Sequence, residues 1–109
     1  MLHRLSDESF SLTGELTFAT VNEILKESVS LLYSSIKERA EEGENIEIKV
    51  DLKDVKRVDS AGLSLLIEWK RKVLQRSNIL QLDINLKFTN IPAQLRELAL
   101  VGGVEGIIE

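Results

Sequence analysis

The residue types best suited to chemistry fall in one run, Asp59-Ser60-Ala61-Gly62-Leu63. A carboxylate and a hydroxyl stand side by side there, just before a glycine and an apolar stretch. If the run opens a helix, the first backbone N–H groups lack partners and the helix end carries partial positive charge. Such an end takes a capping carboxylate or hydroxyl, or a phosphate that a kinase has placed on the hydroxyl. Asp59 suits capping or complementing the helix dipole, and Ser60 is read first as an N-cap. Gly62 is read as the point where the helix packs closely on a sheet.

The rest of the chain argues against catalysis. It holds no cysteine, and its single histidine, His3, lies at an N-terminus expected to fray. The commonest general base, the commonest metal ligand and the thiol nucleophile are therefore missing from any internal site. Carboxylates, Ser60 and lysines remain, without a glycine loop that would cradle a nucleotide. The expectation is a protein that is not an enzyme and carries no metal or cofactor.

Fourteen lysines and arginines stand against 18 acidic residues, for a net charge of −4. A nucleic-acid binder usually shows a basic excess. The two local basic groups, Lys53-Lys56-Arg57 and Lys70-Arg71-Lys72, read as solvated faces. No apolar run approaches the ~18 residues of a membrane span, and Met1 to Asp7 contain no signal-peptide core. A cytoplasmic location follows as an expectation, with 109 residues forming a single domain over 1–109.

The elements that must position Asp59 and Ser60 can be read from periodicity. A short strand is predicted from about Glu8 to Leu16, ended by Gly14. A long helix follows from about Phe18 to Glu42, with Val21, Ile24, Leu25, Val29, Leu32 and Ile36 on one face. Thr17 or Thr20 is its cap and Gly43 its stop. The charged stretch Lys37–Asn45 reads as a loosely held excursion. Ile46, Ile48, Val50 and Leu52 alternate with Glu47, Lys49 and Asp51, and Leu80, Leu82, Ile84, Leu86 and Phe88 alternate with polar residues. Side chains point to opposite faces in turn along a strand, so each strand has one apolar and one polar face. Strands covered on both faces would instead be apolar throughout. The predicted fold is thus α/β, a small mixed sheet with helices mainly on one face. Between the two strands, Ser60 to about Ser77 forms a helix. A third helix spans about Ile91 to Val101, with Pro92 in its first turn and Gly102-Gly103 as its end. A last short strand is predicted over Val104 to Ile108.

The Ser60 helix carries an unusually wide apolar stripe. Around Leu66 at 100° per residue, Leu63, Trp69, Val73 and Leu74 lie within about 80°, and Leu65 and Ile67 mark the two opposite edges. An amphipathic stripe is ordinarily ~100° wide or somewhat more; this one approaches twice that. One edge, Leu65–Trp69 or Ile67–Leu74, is left for a partner unless neighbouring helices cover both. Tryptophan is enriched at interface hot spots. The candidate partner-binding residues are Asp59, Ser60, Ala61, Gly62, Leu65 and Trp69. Lys70 falls inside the stripe and is expected to snorkel.

The segment from Val50 to Leu63, in which a strand ends in Asp-Leu and Asp-Ser-Ala-Gly-Leu then opens a helix, resembles the signature of the STAS family, named for sulfate transporters and anti-sigma-factor antagonists. The resemblance runs from Phe10 to Ile108. It implies a small sheet with helices on one face and a function in binding other proteins. In anti-sigma antagonists a serine directly before the glycine is phosphorylated by the partner kinase. Ala61 stands at the matching position here, and Ser60 one residue earlier. Gly14-Glu15-Leu16-Thr17-Phe18-Ala19-Thr20-Val21 is similar to the strand-to-helix turn of STAS proteins in the Mla phospholipid-transport system. The first helix and its loop, at about Ser34–Asn45, are longer than usual for that branch. The resemblance implies a subunit docked on the ATPase of an inner-membrane ABC transporter, touching the membrane only through that partner. The alternative it leaves open is an anti-sigma-factor antagonist whose partner is an anti-sigma kinase.

Overall fold

The structure, a computed structural model, describes residues 1–41 and 45–109. Among the described residues, four strands and four helices follow in the order β1 (Leu2–Arg4), β2 (Ser9–Leu16), α1 (Val21–Ala40), β3 (Ile46–Val58), α2 (Ser60–Leu80), β4 (Ile84–Thr89), α3 (Ala93–Val101) and α4 (Glu105–Ile108). One sheet has the order β1-β2-β3-β4. β1 is antiparallel to β2, and β2, β3 and β4 run parallel, so the sheet is mixed. Ile46, Ile48, Val50 and Leu52 of β3 and Ile84, Leu86 and Phe88 of β4 are buried, while Glu47, Lys49, Lys53, Asn85 and Lys87 are exposed. The alternation in sequence is thus the division between a helix-covered face and a wet face.

Helix α2 is the centre of the covered side and packs against α1, α3, α4 and β4. Its Trp69 is completely buried, with its ring 6.4 Å from that of Phe88. The indole N–H donates to Ser28 Oγ of α1 at 2.8 Å, and Ser28 passes its own hydrogen to the Leu25 carbonyl at 3.1 Å. A buried indole N–H without a partner would be costly, so a serine on the buried face of α1 is part of the core. Of the face expected for α1, Ile24, Leu32 and Ile36 are buried, and Val21, Leu25 and Val29 are half-buried.

Several boundaries differ from those expected. The N-terminus is not frayed: β1 pairs Leu2 with Leu12, and His3 Nε2 lies 3.2 Å from Thr13 Oγ1. Strand β2 does not end at Gly14. It continues to Leu16, with Gly14 at φ +92°, beside a shift in the β2–β3 register. Two such shifts occur. Ser11 pairs with Asp51 but Thr13 with Asp54, and Gly14 pairs with Val55 but Glu15 with Arg57. Each inserts one extra residue into β3, as a β-bulge does. At the first, Asp51 Oδ1 accepts from the Lys53 N–H at 2.9 Å and from Asn90 Nδ2 at 3.0 Å. The strand expected to end at Asp51-Leu52 therefore runs on through Lys53–Arg57 as bulged strand.

Helix α2 runs on to Leu80, and the strand expected to include Leu80 and Leu82 begins only at Ile84. Gln81 at φ 54° closes the helix, with its N–H and that of Leu82 bonded to the Ser77 carbonyl. The expected strand at Val104–Ile108 is instead the single-turn α4. Gly103 at φ +69° turns the chain, and the Val104 N–H returns to the Ala99 carbonyl at 2.8 Å. One apolar anchor, Ile108, reaches the core, and one helical turn is enough to place it. Consequently β4 stays at the edge of the sheet.

Part of the Lys37–Asn45 excursion is tied down. Glu38 accepts from Arg4 at 2.6 Å, Arg39 reaches Glu8 at 2.7 Å, and Ser35 Oγ donates to the Asp7 carbonyl. The end of α1 is thereby held on the β1–β2 turn. Gly43, expected to stop the helix, lies outside the described residues.

Candidate functional site

The site is the junction where β3 ends and α2 begins, beside the turn that joins β2 to α1. Asp59, not Ser60, is the N-cap. Its backbone is extended, and Oδ1 accepts from the N–H groups of Ala61 at 2.9 Å and Gly62 at 3.3 Å. Its Oδ2 accepts from the Phe18 N–H at 3.0 Å. One carboxylate thus satisfies two orphan donors of α2 and fixes the β2–α1 turn. The Phe18 N–H, with lesser help from the Gly62 and Ala61 N–H groups and Arg57, holds its pKa below the usual aspartate range.

Gly62 is buried because α2 starts hard against β2. A Cβ there would sit 2.8 Å from the Leu16 Cβ and closer still to the Leu16 carbonyl oxygen. That contact places the helix start, and the strand-end pair Leu16 and Val58 supplies the floor. Ser60 is the first helical residue and is exposed. Its hydroxyl makes no hydrogen bond among the described residues, which leaves it free. Ala61 is half-buried and turns toward α1, where with Val21, Leu25 and Leu65 it lines a cleft of about 300 Å³.

The turn adds a residue that sequence reading missed. Phe18 is 85% exposed, directly beside Asp59. Phe18, Arg57 and Gln94 border a second, more polar cleft of about 590 Å³ on the far side of the cap. In a helix starting at residue 18, Phe18 would share a buried face with Val21 and Leu25. The helix starts at Val21 instead, with Thr20 at the N-cap position as expected but without a side-chain cap bond: its Oγ1 accepts from the Thr17 N–H at 3.1 Å and donates to the Glu15 carbonyl at 2.7 Å, shaping the turn. The signal that was available is Thr20: taken as the cap in preference to Thr17, it starts the helix at Val21 and leaves Phe18 outside it.

The other expected site residues divide. Asp59, Ser60, Ala61 and Gly62 come together at the junction. Leu65 and Trp69 do not join them at the surface: α1 covers that edge of α2, and both are buried. The edge that remains open is the other one, where Leu74 is 59% exposed. Lys70 does snorkel. It is half-buried, with its ammonium 5.5 Å from the Phe88 ring centroid, and burial lowers its pKa.

Residues 3–109 match the family described as "Mlab, STAS domain". The chain belongs to the STAS family. The match spans nearly every element above and falls on the MlaB-type branch. Among solved structures, the anti-sigma factor antagonist SpoIIAA in its unphosphorylated form superposes with a TM-score of 0.58 at 17% identity, covering 100% of this chain and 84% of that one. A structure described as a crystal structure analysis of Mglu gives 0.50 at 18% identity, over 86% of this chain and 20% of that one. At such identities these likenesses show the STAS fold alone. Among curated proteins, none matches the chain. STAS domains generally act by protein–protein contact and are generally not catalytic. Among the described residues of this one, no cluster of side chains could hold a metal ion, and no helix is long and apolar enough to cross a membrane.

Proposed function

We propose that this STAS domain, acting as one unit over residues 1–109, is a non-enzymatic subunit that docks on the ATPase of an inner-membrane ABC transporter moving phospholipid. Docking would place it on the cytoplasmic side, against the membrane only through that partner. The reading rests on the junction itself. At the position where antagonists of a kinase carry their acceptor hydroxyl, Ala61 presents a methyl group, half-buried against α1. A surface without that acceptor suits constitutive docking better than a phosphorylation switch, and the MlaB-type family match points the same way. Ser60 and Phe18 supply the exposed contact, with the Asp59 clamp holding them in place.

Co-expression with the ATPase should give a stable complex, and ATPase turnover should fall when this chain is withheld. Assembly and turnover that are normal without it would sink the proposal. Within the complex, Phe18→Ala and Ser60→Glu should each weaken docking by about tenfold or more while the isolated domain keeps its thermal midpoint. The free Ser60 hydroxyl is the one observation that favours an anti-sigma antagonist. Incubation with an anti-sigma kinase and mass spectrometry decides that case: phosphate on Ser60 would replace the transporter reading.

A further inference from the structure

The side of the domain built by the second half of α2 carries a surface that the docking reading does not use. With α4 in place of a fifth strand, β4 borders only β3, and its outer edge has no strand partner among the described residues. Such an edge offers a row of backbone donors and acceptors to any extended chain. Beside it lies an open groove of about 410 Å³, floored by Ile67, Val73, Ile84 and Leu86 and flanked by Leu74 and Ile107, which are 59% and 42% exposed. Lys70 and Arg71 stand in its wall. Arg71 is paired with Glu68 at 2.8 Å. Lys70 differs: burial alone shifts its pKa, and no carboxylate among the described residues lies within ion-pair distance of its ammonium. A half-buried cation without a counter-charge is met best by an incoming carboxylate.

We propose that β4 and this groove form a second binding site, for an extended acidic segment of a protein partner, added as a strand along β4. Its alternate apolar side chains fill the groove over Leu74 and Ile107, and an Asp or Glu reaches Lys70. Strand addition of this kind draws affinity from the main chain and specificity from pockets for every second side chain. The charge of the rim favours this occupant over a second copy of the domain. An isologous pairing would bring up the same groove from the other copy, whose lining holds Lys70 and Arg71 and no carboxylate that could meet Lys70. The openness of the groove also disfavours a free acyl chain, which needs enclosure to bury its surface. The site lies roughly 10 to 20 Å along α2 from Ser60 at ~1.5 Å per residue, so both surfaces can be occupied together.

The test selects random displayed peptides, long enough to pair along all of β4, on the full chain, with Leu74→Glu as counter-selection. Selected peptides are then titrated by NMR. The expected peptides alternate apolar residues, carry Asp or Glu, and shift the amides of Ile84–Thr89. Their affinity should drop by about tenfold or more with Lys70→Gln, and likewise when alternate peptide nitrogens are methylated. Ser60→Glu should leave it unchanged. Circular dichroism checks the fold of each variant, and the exposed position of Leu74 makes that variant a safe one. Failure to enrich any peptide overturns the proposal, as do basic peptides, undiminished binding after N-methylation, or shifts confined to the Ser60 end. A concentration-dependent dimer in sedimentation that Leu74→Glu dissolves would assign the edge to a second copy instead. None of these failures touches the docking reading, which is tested on the ATPase through Phe18 and Ser60.

Discussion

The two edges of α2 are alike in sequence and opposite in structure. Leu65 and Trp69 on one edge, and Ile67 and Leu74 on the other, extend the same apolar stripe. The first edge lies under the 20-residue α1, and its tryptophan is hydrogen-bonded to a serine of that helix. The second faces a groove bordered by β4 and Ile107 of the four-residue α4, which leaves Leu74 in water. Periodicity tells which residues of a helix avoid water. It does not tell how long the neighbouring element is, and here that length decides which edge is core and which is surface.

The contrast can be broken by substitution. Trp69→Ala should cost about 3–5 kcal/mol, the usual range for emptying a large aromatic site, whereas Leu74→Ala should stay within about 0.5 kcal/mol. Urea unfolding measures both, and equal losses would mean that the edges are not different in kind. Next in size, Ser28→Ala should cost about 1–3 kcal/mol by leaving the indole N–H unpaired. A double-mutant cycle with Trp69→Phe should then show strong coupling, because phenylalanine has no N–H to strand. A further effect is at the other end of the helix and depends on pH. The folded-state pKa of Asp59 is depressed, chiefly by the Phe18 N–H. Its contribution is therefore complete above the ordinary aspartate pKa of about 3.9 and is lost as pH falls through the lower folded value. The thermal midpoint of Asp59→Asn should lie below that of the unchanged protein at neutral pH, with the gap narrowing in that acid window. A gap that stayed constant with pH would show that the Asp59 charge contributes nothing there.

Much of this was legible in the sequence where the pattern was long. The alternation from Ile46 to Leu52 and from Ile84 to Phe88 is enough to put the helices on one side of a mixed sheet, and the Asp-Ser-Ala-Gly-Leu run places the start of α2. What was not legible depended on partners distant in the chain. Leu80 and Leu82 continue an alternation that ends in space, because Gln81 takes the left-handed turn that closes α2. Val104–Ile108 is too short for any period to declare itself. Phe18 was read into a helix that hydrogen bonds of Thr20 delay until Val21. Leu65 and Trp69 looked available until α1 was in place. The candidate site kept its polar half, Asp59 and Ser60, and exchanged its apolar half for Phe18.

The two extra residues in β3 have a consequence for what the chain can tolerate. Each insertion exchanges inward for outward along the strand, so one alone would swing Val58 out of the core and turn the Asp59 carboxylate away from Phe18. Two restore the original sense, and Leu16 and Val58 meet as neighbours just as Phe10 and Val50 do. The stretch from Lys53 to Arg57 therefore behaves as a counter of parity. Loss or gain of a single residue there inverts everything downstream, whereas a change of two keeps the faces and slides the start of α2 by one pleat repeat, roughly 7 Å. Length variation between the sheet and its functional helix is admissible only in even steps.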